Sequence, residues 1–166
     1  MSTAALPGRR TDAAVRATRW VRVAAIVAVV ALALWIGGLV ALGAFAAPLV
    51  FGRVPAPWSG DAMGAVFRRF DALAMTSAVI VLACEALRLW AAPIARSGPP
   101  SVRDRARGLF AIVASLAAIY SGAAVSPKIV ALHAAGAVRG VAEAGIELER
   151  LHRIAETMGK IEITFG

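Results

Sequence analysis

The sequence predicts an all-α membrane protein, a small helical bundle in which three transmembrane helices are followed by a C-terminal amphipathic helix. Three observations predict it. Residues 23–52 run without a charge between Arg22 and Arg53, and shorter uncharged runs recur at 72–84 and 108–127. A hydrocarbon core of ~30 Å takes about 20 helical residues, so the first and third runs span it and the second does so with its flanks. A hydrophobic content of 60% with a mean hydropathy of +0.75 exceeds what a water-soluble domain of 166 residues can bury, so lipid must solvate part of the surface.

The domains follow as a basic tail at 1–22, a three-span membrane domain at 23–127 and an amphipathic helix at 128–166. The tail holds Arg9, Arg10, Arg16, Arg19 and Arg22 against Asp12. The first helix is expected from about Trp20 to Phe51, with Trp20 and Trp58 as interfacial aromatics. A signal-peptide core is about 7 to 15 residues, so the longer apolar run is expected to be a retained anchor even though Ala44-Phe45-Ala46 imitates a cleavage site. Gly37 with Ala41, and Gly43 with Ala47, make a small-residue face of the kind that lets helices approach closely in lipid.

Pro48 is expected to bend or end the first helix, and Pro55, Pro57, Ser59 and Gly60 to form the first loop. Residues 62–70 approach the bilayer, and the second span runs from about Leu73 to Trp90. Glu85 and Arg88, three apart, can pair on one helix face. The second loop carries Pro93, Ser97, Gly98, Pro99 and Pro100 with Arg96, Arg103, Arg105 and Arg107, and Ser101 is the expected N-cap of the third span. That span closes on Ser126-Pro127-Lys128, a cap-and-proline pattern expected to redirect the chain. In the last segment Val141, Ala144, Leu148, Leu151, Ala155 and Met158 recur at helical spacing. Arg139 with Glu143, Glu149 with Arg153, and Glu156 with Lys160 stand four apart on other faces. Such a helix is too charged to span; it either lies along the interface or packs on another helix.

Charge also bounds the partners. The net charge of +8 comes from basic residues beside apolar runs rather than along one polar face, which fits the lipid bilayer and its anionic headgroups and not nucleic acid. Ten basic residues fall on the side of the tail and second loop and eight on the other, which puts the N terminus in the cytoplasm and the protein in the cell membrane. The small-residue face makes a second copy or a partner membrane helix the expected protein contact.

Catalytic signatures are missing from the sequence: it has no phosphate-binding glycine loop, no His-Glu-x-x-His pair and no Gly-x-Ser-x-Gly elbow, so the expectation is a protein that is not an enzyme and needs no cofactor. The candidate functional residues are polar groups near the membrane. Glu85 is the most deeply placed carboxylate, with an ion pair to Arg88 as its plain reading and a proton or ion relay as the functional one. His133 and His152 are nineteen apart and can meet only if the chain turns back; Met63, Met75 and Met158 offer soft ligands if a metal binds.

Trp35-Ile36-Gly37-Gly38, Ala47-Pro48-Leu49-Val50-Phe51, the stretch from Met63 to Phe70, Ser126-Pro127-Lys128-Ile129 and Leu151-His152-Arg153-Ile154, in that order and spacing, resemble the DUF4149 or transmembrane-protein-205-like family. The resemblance covers roughly 35–160. It implies a small four-helix membrane protein without an established biochemical role, in which Pro127, Lys128 and His152 are marked polar positions and the histidine-bearing helix leads into a fourth apolar span. Here the sequence stops at Gly166, so that span is expected to be lost or truncated. Two functions follow as expectations: a non-enzymatic packing or accessory component, and a small-solute or metal-ion handling protein, with copper or haem as its ligand and Glu85, His133 and His152 as its residues.

Overall fold

The computed structural model describes residues 7–55, 58–95 and 101–166. Six α-helices and two short π-helical segments account for nearly all of them, and there is no strand among the described residues. Helix α1 (Pro7–Val40) passes through a π segment (Ala41–Ala46) into α2 (Ala47–Arg53); α3 covers Trp58–Ala95. Helix α4 (Val102–Tyr120) passes through a second π segment (Ser121–Val125) into α5 (Ser126–Ala134), and α6 covers Ala142–Phe165. Three of the resulting rods are long and apolar enough to cross a membrane: Asp12–Arg53, Trp58–Ala91 and Val102–Ala134. Pro57 and the stretch from Arg96 to Pro100, expected as loop, lie outside the described residues.

Neither Pro48 nor Pro127 ends its helix, and Ser126, expected as an N-cap, has helical backbone angles instead. Proline lacks an N–H and its ring crowds the carbonyl four residues back. In each rod the turn before the proline widens, so that Ala47 N–H donates to the Leu42 carbonyl and Ser126 N–H to the Ser121 carbonyl, five residues back. Each proline then begins renewed α-helix, and the rods continue to Arg53 and Ala134.

Packing follows from small residues. Ala24 and Ala28 meet Cys84, Ala31 meets Val81 and Ala111, and Trp35 meets Ala74, Ala78, Ala114 and Ala118. Residue numbers rise along α1 and α4 as they fall along α3, so neighbours are antiparallel. Alanine at most contacts brings backbones close enough for Ser115 Oγ to donate to the Ala78 carbonyl across the α3–α4 seam at 3.4 Å. At Gly38 a Cβ would collide with the Phe70 ring, which fixes glycine at the α1–α3 crossing. At the start of α4 the expected cap is present: Ser101 Oγ accepts from the Asp104 N–H, and the Asp104 carboxylate accepts from Ser101 N–H.

The C-terminal helix begins at Ala142, after the α5 helix has ended at Ala134, and it packs on another helix rather than lying apart. A turn with Gly136 at φ +77° and Gly140 at φ +73° reverses the chain, and α6 runs back antiparallel to α4 and α5. The register is set at both ends. Gly145 sits so close to the Val138 carbonyl that a Cβ would overlap it, and Phe165 meets Phe110 with ring centroids 5.4 Å apart. Leu148 and Leu151 of the expected apolar stripe are buried, whereas Val141 is exposed because it belongs to the turn.

Ala142 enters α6 at φ +56°, a region in which an alanine costs roughly 1–2 kcal/mol. Ala142→Gly is therefore expected to raise the thermal unfolding midpoint of the detergent-solubilised protein, by the equivalent of about 1 kcal/mol, and Gly145→Ala to lower it. A melt followed by circular dichroism checks both.

Candidate functional site

Polar side chains gather at three levels of the bundle. At one end Glu85, 7% exposed, accepts from Arg88 Nη1 at 3.3 Å and from Arg107 Nη2 at 3.1 Å. Arg88 is the neighbour the spacing predicted. Arg107 is not, because it comes from α4, and it converts a pair within one helix into a clamp between α3 and α4. Asp104 lies 3.9 Å from Arg107 and extends the chain of charges. With both carboxylate oxygens committed to arginines, this arrangement is one of structural charge balance.

The middle level was invisible as a site in the sequence. Trp35 is fully buried, and its indole N–H donates to Glu162 Oε2 at 2.8 Å. Glu162 itself is only 4% exposed. The Asp71 carboxyl on α3 lies within electrostatic reach of Glu162 and within hydrogen-bonding reach of Ser126. One polar cluster thus takes a residue from each of the four packed rods. Only the tryptophan gave a hint in advance, since a buried indole needs an acceptor.

The third level is at the reversal of the chain. His133 near the end of α5 and His152 on α6 stand edge to face, ring centroids 5.7 Å apart with an interplanar angle of 82°. His152 Nδ1 lies 3.0 Å from the Leu148 carbonyl oxygen. A carbonyl can only accept, so Nδ1 carries the proton and the neutral ring keeps its lone pair on Nε2. Burial pushes the His152 imidazole below its ordinary 6.5; Arg139 and His133 add to this, while the Leu148 carbonyl and Glu149 oppose it. Arg139 pairs with Glu149 at 3.9 Å rather than with Glu143, and the expected pairs Glu149–Arg153 (3.8 Å) and Glu156–Lys160 (2.7 Å) are formed.

Of the residues singled out in the sequence, the structure therefore brings together His133 and His152 and leaves Glu85 at the far end. From Arg107, beside Glu85, to His133 is 26 residues, about 39 Å at 1.5 Å per helical residue. Pro127 and Lys128 are exposed on the outer side of α5. The soft ligands are not gathered at the histidines: Met75 lies against Gly122 on the α3–α4 seam, and Met158 lines a shallow groove with Arg150, Arg153, Ile154 and Thr157. Among the described residues no group of three or more His, Cys, Asp or Glu stands close enough to hold a metal ion.

Two outcomes test these levels. Trp35→Phe removes the donor and leaves the buried Glu162 carboxyl without its partner, which is expected to cost about 1–3 kcal/mol in chemical unfolding; Trp35→Phe with Glu162→Leu is expected to recover most of it. In the folded state His152 holds a proton less readily than in the unfolded chain, so the unfolded chain binds more protons below pH 6.5. The stability that neutral His152 contributes is complete above that value and is lost as pH falls through the lower folded value. Unfolding midpoints taken from pH 7.5 to 5 are expected to decline more steeply for the wild type than for His152→Ala.

Comparisons with known proteins fit this architecture without adding a role. No curated protein and no solved structure matches the chain. A family model described as a domain of unknown function, DUF4149, matches residues 30–137, a stretch that holds Trp35, Glu85, Pro127, Lys128 and His133 and stops short of α6. With well over half of its length matched, the chain belongs to the DUF4149 family.

Proposed function

We propose that the protein is a non-enzymatic packing or accessory component of the cell membrane, which works by docking its first helix against an apolar helix of a second copy or of a partner. One observation carries the reading: the outer face of the α1 rod. Only 22% of its most apolar window is buried, although α1 is the most hydrophobic of the three rods. Gly37 and Ala41 lie one turn apart on that face, and a Cβ at Gly37 or Gly43 meets nothing within 4 Å. Small residues are thus spent where this protomer has no neighbour. In lipid, where apolar surface by itself drives no association, such a flat face favours close helix contact.

The basic residues support an arrangement with the N terminus in the cytoplasm. Arg16, Arg19 and Arg22 on α1 lie toward the same end of the bundle as Arg103, Arg105 and Arg107 on α4, where anionic headgroups would meet them. A second reading, handling of a small solute or metal ion, has a specific observation in its favour in the contact between His133 and His152.

The open space at Gly37 makes the test selective. Gly37→Leu is expected to leave the melting temperature of the protomer unchanged and to abolish self-association, or co-purification of a membrane partner, measured as the mass of the detergent complex by light scattering. An unchanged mass for Gly37→Leu, or a wild-type protein that stays a lone monomer in lipid nanodiscs and in the native membrane, removes the proposal.

A further inference from the structure

We propose that His133 and His152 form a two-imidazole binding site for a borderline divalent metal ion of the Cu2+, Ni2+ and Zn2+ class. The site goes beyond the docking of the first helix and does not rest on it.

Distance is the first argument. A metal bound in the plane of an imidazole at 2.0–2.1 Å from nitrogen stands about 3.2 Å from the ring centroid, so two histidines on one ion have centroids about 5.2 Å apart at a tetrahedral angle and about 6.4 Å apart when opposed. The observed separation of 5.7 Å falls inside that interval. The reversal at Gly136 and Gly140 builds the approach of the two rings into the backbone.

The second argument is the tautomer. His152 Nδ1–H is committed to the Leu148 carbonyl at 3.0 Å, which locks the ring on α6 and leaves Nε2 as the ligating atom. Metal-bound histidines are held in the same way, with the non-ligating nitrogen donating to a carbonyl or carboxylate. Access is the third. His133 is exposed and His152 half-buried, so an ion reaches the pair from solvent and water can complete its coordination.

Local charge permits it. Arg139, a cation within electrostatic reach of His152, is balanced by Glu149, which precedes His152 by three residues. Imidazole nitrogen suits copper, nickel and zinc, and among these copper(II) binds most tightly at a given site. The ion would tie α5 to α6 across the turn.

The test uses the full chain, purified in detergent without a polyhistidine tag and stripped with chelator. One Cu2+ per chain is expected, with an electron spin echo spectrum containing the combination lines of two equivalent imidazoles. His133→Ala and His152→Ala are each expected to weaken binding at least tenfold and to leave one imidazole in the spectrum. Ala142→Gly, outside the pair, is expected to retain the wild-type spectrum. Binding that survives either histidine substitution unweakened, or a wild-type spectrum with a single imidazole, overturns the site; the wild-type spectrum decides even if a variant fails to fold.

Discussion

The tryptophan of the first helix sets the terms for the rest of the bundle. An indole N–H sealed among Ala74, Ala78, Ala114 and Ala118 has no water to bond, and leaving it unpaired would cost a few kcal/mol. Its acceptor comes from Glu162, 127 residues later. That requirement brings the end of α6 to the middle of the bundle and so makes α6 fold back along α4. Once α6 is folded back, the chain between Ala134 and Ala142 must reverse tightly, and the reversal sets His152 opposite His133. The histidine contact is therefore a downstream result of where one indole finds its partner.

Glu162 is in turn tolerable only because of its surroundings. A carboxyl removed from water needs hydrogen bonds, and the indole supplies one; Asp71, which hydrogen-bonds Ser126 at the same level, is a second acid nearby and does not add a donor. Ser126 is also the residue on which the second π segment ends. The wide turn demanded by Pro127 alters the rotation of everything after it, so the proline affects which face of α5 carries Ser126 inward and which carries Lys128 outward. Polar placement and backbone irregularity are linked at that point, as is common for π turns inside helices.

How much of this was legible in the sequence depends on whether a contact is local. The spans were legible, because long uncharged runs between charged residues have one simple explanation. So were the Ser101 cap and the pairs Glu85–Arg88, Glu149–Arg153 and Glu156–Lys160, which are set by helical spacing alone. The second partner of Glu85 was not, since Arg107 reaches it from another helix. That the helices run on through Pro48 and Pro127 was not legible either: the local rule that proline breaks a helix yields where a π turn absorbs the clash. Glu162 escaped notice entirely. It stands among apolar residues with no local pattern to mark it, and only the partner that buries it gives it a role.

The helix that carries Glu162 raises the question of how so many charges can lie along a membrane bundle. Trp35 is close to the middle of the uncharged run at 23–52, so Glu162 and Lys160 are at the depth of the apolar layer. The answer lies in pairing along the axis of α6. Arg150 is bound to Glu147 at 3.1 Å, Arg153 to Glu149 and Lys160 to Glu156, so every basic residue of this helix has a carboxylate within one turn. A paired charge presents a dipole rather than a monopole to a low-dielectric neighbour, which reduces the cost of the location even where the pair adds little to folding. The long rods help as well: α1 with its continuation to Arg53 is about 70 Å long at 1.5 Å per residue, roughly twice a bilayer's hydrocarbon thickness, so much of the bundle stands outside the lipid. In the second half of α6, Glu156 pairs with Lys160 and the Glu162 carboxyl takes the Trp35 indole N–H as its donor.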